Sequence, residues 1–180
     1  SDSENSQLAQ VIVQRMIEGE ASGVAFSADP VSGQRAVAVV AAVPGLCSAL
    51  VSGETPADTW RINRAGTIVE RAVEAKRVMH RSDAAAPDGV RRVPVAPEQV
   101  SAPTLTDEQV KQVARLARQV EAQFGRPQDI EWTLGGGVLV CVLAFLAACA
   151  IDRTKKLLSR LRIPSFYEQA AGGFVATLIA

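Results

Sequence analysis

The sequence predicts an α/β fold, a mixed sheet with helices packed on it, and three observations carry that prediction. Short β-branched and alanine-rich runs end at Asp-Pro and Pro-Gly turns, as buried strands do. Between Thr106 and Gly125 the apolar residues recur at steps of three and four, the period of a helix with one buried face. Asp129–Thr133 then alternates polar and apolar, the period of a half-buried strand.

Composition sets the frame. The chain has 180 residues, the size of one domain or one domain plus a fragment. Lys and Arg number 19 and Asp and Glu number 19, so there is no excess basic charge for a broad nucleic-acid surface. With 48% hydrophobic and 21% charged residues the chain can pay for a core, so a disordered chain is excluded. Mean hydropathy is +0.13, high for a soluble domain. The polar, acidic opening SDSENSQLAQ is not a secretory signal, and Cys47, Cys141 and Cys149 are widely spaced. No disulfide framework is expected, which favours a reducing, cytoplasmic setting. Cys141 and Cys149 lie in an apolar run and read as buried hydrophobes. His80 is the single histidine, within the basic stretch KRVMHRS, where a solvated side chain is expected. One histidine makes a histidine-rich zinc site or a Ser-His-Asp triad a poor expectation.

In chain order, Gln10–Met16 carries the run VIVQRM and reads as a strand. Ile17–Ser22 is a loop, and Gly23–Ala28 a second strand. Asp29-Pro30-Val31-Ser32-Gly33 is a turn, because Pro30 fixes φ and Asp29 can bond nearby backbone. Ala36–Val43 is continuously apolar, as in a strand covered on both faces, and Pro44-Gly45 closes it. Thr59–Asn63 and Gly66–Arg71 form a hairpin through Arg64-Ala65-Gly66. Ala84–Pro103 holds four of the nine prolines and reads as an extended surface connector. Thr106 then caps a helix, with Gln109 completing a capping box and Asp107 and Glu108 in the first turn. Val110, Val113, Ala117, Val120 and Phe124 form its apolar stripe, and Gly125 and Pro127 end it.

Two places could carry chemistry. Asp129 and Glu131 fall on one face of their strand, and paired carboxylates suit oxygen-ligated Mg²⁺. Magnesium would neutralise a nucleotide's phosphates. Gln14, flanked by Val11, Ile12 and Val13, could offer a donor and an acceptor to a base edge. The same patterns also describe ordinary solvated strand positions.

The ordered blocks VIVQRMIEGEASGVAFSADPVSGQ, PGLCSALVSGETPADTW, the LTDEQ helix and FGRPQDIEW resemble the nucleotide-binding domain of the phosphoenolpyruvate synthase and pyruvate phosphate dikinase family, over about residues 8–140. The resemblance implies a partial ATP-grasp fold and an ATP- and Mg²⁺-dependent phosphotransferase. In that family a histidine on a separate domain carries the phosphoryl group to pyruvate or a related acceptor. Gln14 matches the family's adenine-hinge position, Glu131 its acidic Mg²⁺ ligand, and Asp129 is a neighbour to that ligand. Three departures imply that the isolated chain is inactive. The family's phosphate-holding lysine and arginine would lie upstream of Ser1. Cys47 and Ser48 stand where the family often has Gly and Glu in GLGE. Leu143 and Phe145 stand where a metal-binding glutamine and a phosphate-binding arginine are expected, and neither side chain has a polar atom.

Thr133–Ile151 is a run of 19 uncharged residues, the length of a membrane-spanning helix, followed by Arg153, Lys155, Lys156, Arg160 and Arg162. The stretch from Ala150 to Ala180 resembles part of a threonine/serine exporter-type membrane protein. These features predict two parts: a partial nucleotide-binding domain over 1–142, with the connector at 84–103 inside it, and an apolar helical tail over 143–180. A fusion or frameshift would join such parts. The alternative reading is a membrane-associated, non-catalytic protein with a degenerate nucleotide module, touching the bilayer through 133–180.

Overall fold

The computed structural model describes residues 17–142. The strand expected over Gln10–Met16, with Gln14, and the tail expected over 143–180 lie outside the described residues.

A six-stranded sheet organises the chain, in the order β4-β3-β2-β1-β7-β8. Its strands are β1 (Ala21–Phe26), β2 (Val37–Pro44), β3 (Asp58–Asn63), β4 (Ile68–Ala72), β7 (Asp129–Gly135) and β8 (Val138–Val142). β5 (Val78–Ser82) and β6 (Val90–Pro94) form a separate hairpin. A short helix α1 (Ser48–Val51) follows β2, and the long helix α2 (Asp107–Phe124) precedes β7. Every pairing between described strands is antiparallel, where the sequence predicted a mixed sheet. Connectivity accounts for β3–β4, β5–β6 and β7–β8, whose short connections allow only antiparallel pairing, while β1 against β7 and β2 against β3 are antiparallel through the way the chain is assembled. The one parallel contact among the described residues is an isolated bridge between Gly45 and His80.

β1 lies inside the sheet, between β2 and β7, and its closest approach is at Gly23. Gly23 sits opposite Ala42 on one side and Trp132 on the other. A Cβ there would come within 2.0 Å of the Ala41 carbonyl oxygen, so the strands close on each other only over glycine. The Asp29–Gly33 turn forms as predicted: the Asp29 carboxylate accepts from Val31 N–H and Ser32 Oγ, and Gly33 adopts φ +72°.

Helix α2 is the element the sequence described best. Thr106 Oγ1 accepts from Gln109 N–H, the Gln109 side chain accepts from Thr106 N–H, and Gly125 closes the helix at φ +69°. Val110, Val113, Ala117 and Val120 pack on one sheet face against Ala25, Val40, Trp60, Ile130 and Trp132, all buried. At about 25 cal/mol per Å² of apolar surface, this layer is the main hydrophobic contribution to the fold.

Three sequence expectations change. Residues 84–103 lie at the surface, with Val95 the buried exception, yet they hold strand β6 and a 3-10 turn (Pro97–Gln99) instead of a plain connector. The uncharged run from Thr133 is not one helix: its first ten residues are the end of β7, the Gly136-Gly137 turn and β8. Both turn glycines have positive φ, +58° and +75°, which a continuing helix excludes. No helix among the described residues is long and apolar enough to cross a membrane. His80 lies in β5 and is 6% exposed, not solvated, because its ring is bonded on both sides.

A buried ion pair holds the second hairpin to the sheet. Lys76 is 1% exposed and Asp58 fully buried, with Nζ donating to Asp58 Oδ1 at 2.6 Å and to the Glu74 carbonyl at 2.7 Å. Asp58 also accepts from Glu74 N–H, Thr104 N–H and Thr104 Oγ1.

Removing one partner strands the other charge in the interior. Asp58→Ala is expected to lower the unfolding free energy by about 3–5 kcal/mol in urea titrations. Thr106→Ala, which removes only the cap of α2, is expected to cost about 1 kcal/mol in the same measurement.

Candidate functional site

The sheet has two unlike faces. The face under α2 is closed by side chains of the core. On the other face stand Ser22, Val24 and Phe26 of β1, Val39, Ala41 and Val43 of β2, and Asp129, Glu131 and Thr133 of β7, as the two-residue period and the register require. Val24 lies between Ala41 and Glu131, and Phe26 between Val39 and Asp129. Val24, Phe26, Ala41 and Glu131 are each half-buried, so this part of the face forms an open floor of modest side chains with carboxylates along one side. At one end the floor is closed by buried Ser22, whose Oγ is 3.1 Å from Thr133 Oγ1, and by buried Val43.

Glu131 is electrostatically the least comfortable group on this face. Burial, and then the charge of Asp129 two residues away, raise its carboxyl above the usual range. Asp129 itself is exposed. The charge of Glu131 reaches Cys47, whose thiol is pushed up to about 11, chiefly by burial and then by Glu131. Cys47 is therefore a neutral, buried thiol and not a nucleophile at neutral pH. At the far edge, Arg61 of β3 bonds Asp29 and reaches Glu70 of β4 at 3.4 Å. The bonds from Ser32 and Val31, with Arg61 beside them, bring the Asp29 carboxyl down to about 2 although burial opposes this.

The structure places both predicted carboxylates on one face. Gln14 lies outside the described residues. Among the described residues no group of three or more His, Cys, Asp or Glu side chains gathers to hold a metal. Asp129 and Glu131 share one face of β7, and two carboxylates alone are an incomplete ligand set for a divalent cation, whose remaining oxygens would have to come from a bound phosphate or water. A cation there would relieve the repulsion that Asp129 exerts on Glu131.

Sequence reasoning missed one cluster. Ser48 Oγ lies 2.8 Å from His80 Nδ1, and His80 Nε2 lies 3.3 Å from Glu54 Oε2. These residues stand 32 and 26 positions apart, and no local pattern joins them.

Comparison with known proteins bears on this face. The family model of the pyruvate phosphate dikinase AMP/ATP-binding domain matches residues 1–144. A second model, a putative threonine/serine exporter, matches residues 130–180. A rifampicin phosphotransferase of Streptomyces sviceus is 47% identical over 125 residues, which is 69% of this chain and 14% of that protein. A rifampicin phosphotransferase of Bacillus subtilis is 43% identical over 126 residues, again 69% of this chain and 14% of that protein. A phosphoenolpyruvate synthase of Pyrococcus furiosus is 39% identical over 127 residues, 67% of this chain and 15% of that protein. The chain thus spans about one seventh of the length of these relatives.

The raised carboxyl of Glu131 gives a signed expectation. A carboxyl harder to ionise in the folded state contributes fully below its ordinary value of 4.5, and that contribution is lost as pH rises through the raised value. Glu131→Gln is expected to be more stable than the parent at neutral pH, with the difference vanishing below pH 4.5. Urea unfolding at the two pH values measures it.

Proposed function

Because this chain belongs to the family of the pyruvate phosphate dikinase AMP/ATP-binding domain, we propose that its open sheet face is the nucleotide-binding face of an ATP-grasp phosphotransferase. The observation that supports this most directly is Glu131 itself, a half-buried carboxylate set on an open, small-residue floor and disfavoured in its charged form until a cation arrives. In this reading Gln14 reads the adenine edge through its amide. Glu131, with Asp129 as an outer neighbour, holds Mg²⁺, which when bound neutralises the nucleotide's phosphates. Val24 and Ala41 supply flat apolar contact beneath the nucleotide, and the closed face under α2 keeps that floor rigid.

The phosphoryl acceptor is pyruvate or a related molecule, reached through a phosphohistidine on other domains. The names of the relatives span a pyruvate-derived product and an antibiotic, so the acceptor is set outside the nucleotide domain. Dependence on ATP fits a cytoplasmic setting. The chain holds the sheet side of the site but has Leu143 and Phe145 where the family places an oxygen ligand and an arginine. Without that arginine, developing charge on the transferred phosphoryl group loses a fixed positive partner. The 180-residue chain is therefore a nucleotide-binding portion without phosphotransfer activity of its own.

Calorimetric titration with Mg·ATP is expected to show weak binding, with Kd roughly millimolar, that depends on Mg²⁺ and is lost in Glu131→Ala. Binding that is indifferent to Mg²⁺ and to that substitution would overturn the assignment of the face. Tight binding would show that Leu143 and Phe145 cost the site nothing.

A further inference from the structure

Outside the nucleotide face, the Ser48–His80–Glu54 cluster has the connectivity of a charge-relay nucleophile. Ser48 is half-buried, the His80 side chain is 7% exposed and the Glu54 side chain 28% exposed. Glu54 bonds Arg92 through its other oxygen. Burial opposes ionisation of Glu54, but the bonds from Arg92 and then His80 hold its carboxyl below the usual range, so it is a carboxylate at neutral pH. A carboxylate only accepts, so the hydrogen bond to Glu54 puts a proton on His80 Nε2. In the tautomer that carries its single proton there, Nδ1 is the acceptor and the Ser48 hydroxyl, 2.8 Å away, the donor. A hydroxyl proton is thus poised on a base whose far side faces a fixed negative charge. The ring is used in the sense opposite to a serine protease, with Nδ1 in place of Nε2 as the base; in neutral imidazole either nitrogen serves.

The segments that carry the three groups are tied to one another by hydrogen bonds of their own. The His80 carbonyl accepts from Leu46 N–H at 2.9 Å, and Gly45 bridges the same strand so closely that a Cβ would lie 2.3 Å from that oxygen. Glu54 N–H donates to the Ala49 carbonyl at 3.2 Å, and Thr55 Oγ1 donates to the Val78 carbonyl at 2.7 Å. The nucleophile, the base and the carboxylate therefore sit on three segments tied to one another at fixed points, as a preorganised site requires.

We propose that Ser48, with His80 as base and Glu54 as its positioning carboxylate, is a nucleophilic site for activated esters. Ser48 Oγ attacks the ester carbonyl carbon and forms a new C–O bond while its proton passes to His80 Nδ1. The bond to the leaving oxygen breaks, and that oxygen takes the proton from His80. Water, deprotonated by the same nitrogen, then cleaves the acyl-serine to a carboxylic acid and returns Ser48 to its starting state. No oxidant, metal or nucleotide takes part. Esters with good leaving groups are the substrate class because they ask least of oxyanion stabilisation.

The test uses the full chain and p-nitrophenyl acetate. The expected result is a stoichiometric burst of nitrophenolate and an acetyl group mapped to Ser48 by peptide mass spectrometry. The burst should be absent in Ser48→Ala and slowed by about 10²-fold or more in His80→Asn. Glu54→Gln should slow acylation, move the midpoint of its pH profile to lower pH and leave Ser48 the acetylated residue; a merely structural carboxylate would leave that midpoint where it is. Acetylation found only on lysines or cysteines, or a burst that persists in Ser48→Ala, overturns the proposal. If the Ser48 variant fails to fold, as judged by circular dichroism, mapping of the parent decides alone: acetyl-Ser48 supports the site and its absence overturns it.

Discussion

Asp58 accepts four hydrogen bonds in the protein interior, from Lys76 Nζ, the Glu74 and Thr104 backbone amides and the Thr104 hydroxyl. Each donor comes from a segment that would otherwise have little reason to stop where it does. The residues before β5 are fixed by Glu74 and Lys76, and the residues before α2 by Thr104, two positions ahead of the helix cap. A charge buried this completely is tolerated only when every lone pair is occupied. The requirement therefore acts as a geometric rule: β3, the approach to β5 and the start of α2 must arrive together. Hydrophobic burial under α2 supplies most of the driving force, but it is not directional and would not set this meeting point.

The placement of α2 in turn makes the two sheet faces different. One face is closed by Val110, Val113, Ala117 and Val120 over Trp60 and Trp132. The indole N–H groups of both tryptophans are buried there and find no hydrogen-bond partner among the described residues. The opposite face keeps half-buried Val24, Ala41 and Glu131 within reach of a ligand. A carboxylate half-buried on such a face is costly to ionise, chiefly because of burial and then because of Asp129. The Gly45–Ser48 loop lies at the end of the same sheet and joins this face to the β5–β6 hairpin through the Gly45–His80 bridge. The open sheet face and the Ser48 cluster are thus linked through the Gly45–His80 bridge.

Elements whose cause is local were legible in the sequence. The α2 cap, its apolar stripe and its glycine stop are all set by residues within four positions of one another, and each formed as expected. So did the Asp29 turn and the alternation that places Asp129 and Glu131 on one face. The run from Thr133 misled because apolarity and length alone do not separate a helix from a pair of strands. Gly135, Gly136 and Gly137 were the local sign of a turn, and the positive φ at Gly136 and Gly137 makes a hairpin of it. The proline-rich stretch misled in the same way, since Val90–Pro94 forms a strand only because β5 is there to pair with it.

Sequence by itself thus determined the α/β content, the capped helix, the same-face carboxylates and the likeness of the ordered blocks to a nucleotide-binding family, because each rests on periodicity or on residue types at short spacing. Tertiary structure alone decided that the sheet is antiparallel, that His80 is buried between Ser48 and Glu54, and that Lys76 is fully enclosed by Asp58 and its neighbours. The antiparallel pairing of β1 with β7 joins Ala21 to Leu134, and the two buried clusters join positions 18 to 32 residues apart. Periodicity carries no information about such partners. The partner is fixed by which strands can approach, and here that is set by glycine at the close contacts and by the need to satisfy every buried charge.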